Sequence, residues 1–329
     1  MNAALPEGLD SFLGDTRWDG AEIVPLVGDA SFRRYYRLRM RDRSAMLMHA
    51  PPPEEDTGPF LHVARWLSEN GMRGPEILGA RPEQGLVLIE DFGDQRMKEW
   101  IDDHPDDEEA IYAGAIDALA ALQALPPGPF DPYDMAVYQR EAALFVEWYC
   151  PAAGLSVDEA GWRAAWEETL ASLIERQQPG VTVLRDYHAE NVMLLEPGKV
   201  NGAQGLIDFQ DALVGHPAYD LVSLLQDARR DVSESLERTM LGRYRAACDP
   251  GPEFEADYAR LGAQRNAKIV GIFTRLHKRD AKPRYLRMIP RVWKAMERDL
   301  AHEALAPVAR WFTDNIPQHL RDADGGEIA

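Results

Sequence analysis

The chain has 329 residues, 45% of them hydrophobic, and a formal net charge of −19. That length supplies a core for one large domain or two lobes. The charge argues against nucleic acid, whose binders need a basic stripe, and against an anionic membrane surface.

The two cysteines, Cys150 and Cys248, lie far apart and outside any metal-ligand spacing. This usage fits a reducing compartment better than a secreted scaffold. Residues 1–20 lack the apolar stretch of a signal peptide, and no run approaches the roughly 20 apolar residues of a membrane span. A cytoplasmic protein is the expectation.

In chain order, residues 22–26 form a short apolar strand that ends at Gly28-Asp29-Ala30-Ser31. Residues 32–39 alternate: Phe32, Arg34, Tyr36 and Leu38 share one face, and Arg33, Tyr35, Arg37 and Arg39 the other. That is a hairpin pattern around a Gly-Asp turn. A third strand over 45–50 stops at Pro51-Pro52-Pro53. Helical spacing covers 60–70, with Gly71 as its stop. Leu86-Val87-Leu88-Ile89 is a buried-type strand running into Glu90-Asp91-Phe92-Gly93, which we take as a hinge.

Helices are expected over 108–125, 138–149 and 159–177, with a Pro-rich loop at 126–132. A hairpin spans about 181–210. Further helices cover 221–229, 236–247, 258–278 and 292–306, and Pro307 kinks or restarts the last before 308–313. The fold class is α+β: a small β-rich lobe, residues 1–92, and a larger helical lobe, residues 93–329.

The chemistry concentrates in Asp186-Tyr187-His188-Ala189-Glu190-Asn191 and in Asp208. Asp186 follows the short strand 181–184, and Asn191 opens the next. Pro197-Gly198-Lys199 turns the chain, and Gly205-Leu206-Ile207 returns it to Asp208. A hairpin of this size brings Asp208 back towards Asn191. Carboxylate, amide, carboxylate is the order that phosphoryl transfer uses. One carboxylate orients a hydroxyl nucleophile, and an amide oxygen with a second carboxylate holds Mg²⁺, a hard cation that keeps several waters.

The run Leu184-Arg185-Asp186-Tyr187-His188-Ala189-Glu190-Asn191, with Ile207-Asp208-Phe209-Gln210, resembles the catalytic core of the aminoglycoside phosphotransferase and choline kinase superfamily. Within it, the chain is similar to the anomeric N-acetylmuramate and N-acetylglucosamine kinases of bacterial cell-wall recycling. The segments Gly28-Asp29-Ala30-Ser31-Phe32-Arg33-Arg34, Leu88-Ile89-Glu90-Asp91-Phe92-Gly93-Asp94, Tyr219-Asp220-Leu221 and Gln264-Arg265-Asn266 carry that closer likeness. The resemblance implies a protein-kinase-like two-lobe fold, ATP and Mg²⁺ as cofactors, and a small-molecule amino sugar as substrate.

It further implies that Asp186 is the catalytic base and that Asn191 and Asp208 are the metal ligands. Asp220 would hydrogen-bond the catalytic loop, or act as a plain N-cap for the helix that follows. His188, Gln210 and Asp211 are candidate substrate contacts. Around the nucleotide, Gly28 and Ser31 would cover the phosphates, and adenine would meet the backbone near Glu90 and Phe92. The first lysine in the chain is Lys98, so the cation that usually comes from the third strand must be another side chain. His49 occupies the approximate place, and Arg33 and Arg34 flank the phosphate turn.

Two other readings stand beside the sugar kinase. One is another acceptor on the same chemistry: an aminoglycoside, choline or an amino alcohol, with Trp148, Tyr149, Trp162 and Trp166 as a cage for a cation. The same tryptophans at helical spacing also suit a core. The other is a pseudokinase that binds nucleotide as an interaction module.

Overall fold

The structure is a computed structural model, and it describes residues 5–26, 33–196, 202–326 and 328. The chain divides into two compact units. One holds residues 1–100 with 191–211, the other 101–190 with 212–329.

The first unit opens with helix α1 (Leu9–Gly14). Strands β1 (Glu22–Pro25), β2 (Arg34–Met40) and β3 (Arg43–His49) follow, then helix α2 (Gly58–Glu69). Strands β4 (Ile77–Arg81) and β5 (Leu86–Glu90) complete an antiparallel sheet of order β1-β2-β3-β5-β4. Strand β3 stops at His49 because prolines without N–H groups follow. Neither α1 nor β4 was expected from the sequence.

Register decides which side chains share a face. Tyr36 pairs with Leu47 and Leu47 with Leu88. With Leu38, Ala45 and Leu86 they bury against Leu9, Phe12, Leu13 and Trp18 from α1 and its flank. Each buried leucine of that set contributes about 1.5–3 kcal/mol. Tyr35 pairs with Met48 and Arg37 with Met46, so these side chains take the opposite face, as the alternation in the sequence predicts. Phe32 and the Gly-Asp turn lie outside the described residues.

The hairpin of Val192–Leu194 with Gln204–Leu206 belongs to this same unit, whereas the sequence reading assigned it to the larger lobe. Its backbone is the reason. Leu206 N–H donates to the Arg73 carbonyl and Leu194 N–H to the Gln95 carbonyl, both at 2.8 Å. Phe209 stacks on Phe60 of α2 with ring centroids 5.2 Å apart. The Pro197-Gly198-Lys199 turn lies outside the described residues.

Helix α3 (Met97–Asp103) carries the chain from the first unit into the second. There follow α4 (Glu108–Gln123), α5 (Met135–Leu144), a π-turn at Phe145–Tyr149, α6 (Cys150–Ala152) and α7 (Glu159–Arg176). The strand Val181–Val183 pairs with Leu213–Gly215, the latter unforeseen. Helices α8 (Ala218–Leu225), α9 (Glu234–Cys248), α10 (Phe254–Lys278), α11 (Ile289–Leu300), α12 (Ala306–Asn315) and α13 (Gln318–Asp322) complete the unit.

Helix α10 is the axis of this unit, buried along most of its length. At Gly271 it passes so close to the end of α5 that a Cβ would lie 2.3 Å from the Leu144 carbonyl. The expected helix over 292–306 ends early, and the restart expected at Pro307 is a separate helix. Helix α11 ends at Leu300, and Pro307 sits in the first turn of α12, where its missing N–H costs nothing.

The aromatic cage does not form. Trp162 lies 5.3 Å from Phe145 and 4.5 Å from Trp311, and crosses Trp166 edge-on at 5.4 Å. Tyr149, Trp162 and Trp166 are fully buried, so spacing by four on α7 served packing. Cys150 and Cys248 are both free thiols. Among the described residues, no helix is long and apolar enough to cross a membrane.

Candidate active site

The loop from Leu184 to Glu190 leaves the strand Val181–Val183 through a strained step. Arg185 has φ 72°, a conformation that costs a non-glycine residue roughly 1–3 kcal/mol. Helix α8 offsets it. The Asp220 carboxylate accepts the backbone N–H of Leu184 at 2.7 Å and of Arg185 at 2.9 Å. Ser223 Oγ donates to the Arg185 carbonyl at 3.2 Å, and Arg265 Nη2 of α10 donates to that hydroxyl at 2.7 Å. Backbone on both sides of the strained residue is therefore tied down, and Asp186 emerges from a fixed direction.

Asp220 is not the N-cap of the helix. Pro217 takes that place, and Asp220 lies inside the first turn with its side chain turned to the loop. Complete burial raises its pKa from 3.8 to about 7, against the opposing pull of its two N–H donors and the Arg265 charge.

A buried ionic cluster backs the same loop. The Arg185 guanidinium pairs with Glu141 of α5 and lies 5.7 Å from the Tyr133 ring centroid. Glu141 also takes Lys268 Nζ at 2.9 Å, and Lys268 donates to the Tyr219 hydroxyl at 3.2 Å. Burial pushes the Glu141 carboxyl up, but the Lys268 and Arg185 charges outweigh it and hold the group below the usual carboxylate range. Lys268 also feels the charge of Asp186.

The second half of the loop is held by the segment after α8. Tyr187 donates its hydroxyl proton to the Ala115 carbonyl at 2.7 Å. Asp227 accepts the N–H of Ala189 at 3.2 Å and of Arg229 at 2.8 Å. The Arg229 guanidinium meets His188 Nε2 at 3.0 Å and Glu190 at 3.2 Å. His188 is thus a buried member of this brace.

In the first unit, Asn191 and Asp208 sit at the two ends of the hairpin. The Ile207 N–H donates to the Asn191 carbonyl at 3.1 Å, which closes the hairpin beside them. Asn191 Nδ2 then lies 3.3 Å from one oxygen of Asp208, and Gln210 Nε2 donates to the other at 2.9 Å. Asp208 is exposed, at φ 60°. The amide nitrogen is the atom of Asn191 turned to Asp208; its amide oxygen together with the exposed carboxylate is a donor set that would fit Mg²⁺, which takes few protein ligands and keeps waters. Gln210 therefore steers Asp208 directly. Asp211, exposed, ends the segment.

The basic residues around the expected phosphate turn separate into two sets. Arg33 Nε pairs with Glu55 at 3.1 Å. The half-buried Tyr35 hydroxyl, whose pKa burial raises, feels Arg33, Asp208 and Glu55. Arg34 and His49 are register partners and so occupy the opposite face. Burial, then the Arg34 charge, lowers the His49 pKa. Gly28 and Ser31 lie outside the described residues.

Residues 90–94 are tightly tied. Glu90 accepts a two-pronged hydrogen bond from Arg73, at 2.8 and 2.5 Å, and its N–H donates to the Glu76 carbonyl. The Arg73 guanidinium lies over the Phe92 ring at 4.7 Å. The Phe92 ring in turn sits where a Cβ on Gly205 would come within 2.6 Å. Arg37 carried no role in the sequence reading, yet its guanidinium bonds Asp91 at 2.7 Å, Asp94 at 2.7 Å and the Gly93 carbonyl at 3.2 Å. The signal for it was two aspartates flanking Phe92-Gly93, which need a cation. Glu141, Lys268, Asp227 and Arg229 were likewise missed.

Comparison with known proteins gives one consistent answer. Residues 22–263 match the Phosphotransferase enzyme family. A Pseudomonas aeruginosa protein named N-acetylmuramate/N-acetylglucosamine kinase is 40% identical over 294 residues, 85% of this chain and 84% of its own length. A Caulobacter vibrioides protein of the same name is 36% identical over 94% of this chain and 96% of its own. Among solved structures, a choline kinase from Streptococcus pneumoniae superposes with TM-score 0.60 at 14% identity, over 87% of this chain and 93% of its own. That likeness establishes the protein-kinase-like fold.

Proposed function

This chain belongs to the phosphotransferase enzyme family, and from that premise we propose that it transfers the γ-phosphoryl group of ATP to the anomeric hydroxyl of N-acetylmuramate or N-acetylglucosamine. The unit of residues 1–100 with 191–211 serves as the nucleotide lobe, and the unit of residues 101–190 with 212–329 as the catalytic and substrate lobe. The reaction belongs to the cytoplasm, where ATP is available.

Asp186 accepts the proton of the sugar hydroxyl and orients its oxygen for in-line attack. Such base assistance contributes roughly 10²–10⁴-fold. Asn191 and Asp208 would hold Mg²⁺, which when bound would neutralise phosphate charge. Gln210 keeps the Asp208 carboxylate turned for that task. Arg33, braced by Glu55, supplies the phosphate cation that other members of the fold take from a lysine. Backbone groups near Glu90 and Phe92 receive the adenine, and Arg37 keeps that segment in one shape. Arg34 and His49 are left on the far face of the sheet and take no part.

The observation that carries this reading is the pairing of Asn191 with Asp208 at 3.3 Å, five residues after an aspartate whose loop is fixed by Asp220. The likeness to amino-sugar kinases over most of the chain supports the acceptor. The test is Mg²⁺-dependent ATP turnover with both sugars, an aminoglycoside and choline, the product read by ³¹P NMR. An anomeric sugar phosphate is expected. Asp186→Asn is expected to lose turnover and keep ATP binding. Transfer to choline or an aminoglycoside alone would overturn the acceptor, and an Asp186→Asn variant as active as the parent would overturn the mechanism.

A further inference from the structure

The segment after α8 carries two adjacent arginines, Arg229 and Arg230, with different fates. Arg230 is spent. It pairs with Glu108 at 2.5 Å and Asp102 at 3.6 Å, and donates to the Tyr112 hydroxyl at 3.3 Å. Arg291, close by, is spent on Asp231. Arg229 is held but not exhausted. Its backbone N–H is fixed by Asp227, its Nε lies 3.2 Å from Glu190 and its Nη1 meets His188 Nε2 at 3.0 Å. Nη2 donates no hydrogen bond among the described residues, and the side chain is 27% exposed. A guanidinium is a fork; the catalytic loop takes the Nε and Nη1 positions of this one and leaves Nη2 for a ligand.

We propose that Nη2 of Arg229 receives the carboxylate of an anionic acceptor, and so determines how well the enzyme takes N-acetylmuramate relative to N-acetylglucosamine. The inference rests on the amino-sugar reading above. The two sugars differ by the lactyl ether on the 3-oxygen of the muramate, which adds one carboxylate. His188 lies two residues after Asp186, so an arginine docked on its Nε2 is held by the same short loop that aims Asp186 at the anomeric oxygen. Glu190 gives the neutral sugar a site that is already satisfied: the ion pair persists when no carboxylate arrives. When one does, Nη2 adds a charge-assisted bond without a new cation being ordered. Glu190 is the carboxylate paired with this guanidinium, and it sets how much of the charge remains for a ligand.

The test is steady-state kinetics of wild type, Arg229→Gln and Arg229→Lys with both sugars at saturating ATP, with thermal melts to show that each variant is folded. Arg229→Gln is expected to lower the ratio of kcat/KM for N-acetylmuramate to that for N-acetylglucosamine at least ten-fold, through KM. Any general loosening of the loop cancels in that ratio. Arg229→Lys keeps the charge but not the fork, and is expected to fall between. An equal loss with both sugars, carried in kcat, would mean that Arg229 meets the transferring phosphoryl group or only supports the loop, and would overturn the proposal. An unchanged ratio would overturn it as well. Wild-type protein that phosphorylates neither sugar would instead sink the amino-sugar reading, and this inference with it.

Discussion

The carboxylate of Asp220 accepts the backbone N–H of Arg185 at 2.9 Å, and Arg185 stands at φ 72°. One buried acid thus holds the residue that precedes the candidate base in a conformation it would not adopt alone. Both partners lie in the second unit, so the aim of Asp186 is set within that unit, by α8.

Replacing Asp220 with Asn leaves one amide oxygen for two N–H donors and turns an NH₂ group towards one of them. Unpairing a buried donor costs about 1–3 kcal/mol. Asp220→Asn should lower the melting temperature and reduce kcat more than either KM. A variant with parental kcat would show that the loop holds its shape without the brace.

The same residue gives a pH signature. Burial raises the folded-state pKa of Asp220 from 3.8 to about 7. Between those values the folded state binds more protons than the unfolded chain, so this group's contribution to stability is full below 3.8 and declines as pH rises to about 7. Denaturant titrations of wild type and Asp220→Asn across pH 4–8 should differ by a term that shrinks stability with rising pH in the wild type alone. Parallel profiles would show that Asp220 does not titrate in this window.

Arg37→Met removes the cation between Asp91, which is buried, and Asp94, which is exposed. Breaking the buried arm costs roughly 3 kcal/mol, and the exposed arm adds little. The expected result is a lower melting temperature and a raised KM for ATP with the acceptor KM unchanged. A shift confined to the acceptor KM would contradict the role given to residues 90–94.

Arg33 and His49 are rivals for the missing lysine, and the sheet separates them. Arg33→Met should raise the KM for ATP about ten-fold or more, with Arg33→Lys recovering part of it. His49→Ala and Arg34→Ala should leave nucleotide kinetics as they are. The reverse pattern would place the phosphate on the other face.

Asp208→Asn and Asn191→Ala should raise the Mg²⁺ concentration for half-maximal turnover. Gln210→Ala should do so more weakly, because it acts on the orientation of Asp208, an effect typically worth 10–100-fold in metal affinity or activity. Mg²⁺ titration of ATP turnover measures all three. Unaltered Mg²⁺ dependence in Asp208→Asn would remove the pair from the metal site.

The sequence by itself determined the chemistry and the class. Asp186, Asn191 and Asp208 are named by residue type and spacing. The α+β organisation follows from period-2 alternation before Glu90 and helical spacing after Gly93, because these patterns record which side of an element meets a core. What spacing cannot record is a partner far away in the chain. Arg37 reads as one more polar residue on a strand face, and only β2 packed beside Asp91 and Asp94 makes it an ionic clasp. Trp162 and Trp166 fit a cage or a core equally well until Phe145 and Trp311 pack against Trp162. Arg34 and His49 looked as eligible as Arg33 for the phosphates until register put them on the face opposite Tyr35. Arg229 became a candidate specificity residue only when the fold carried it to His188 and Glu190. Local pattern fixes an element and its faces; the identity of the atoms across each face is a long-range fact, and tertiary packing alone decides it.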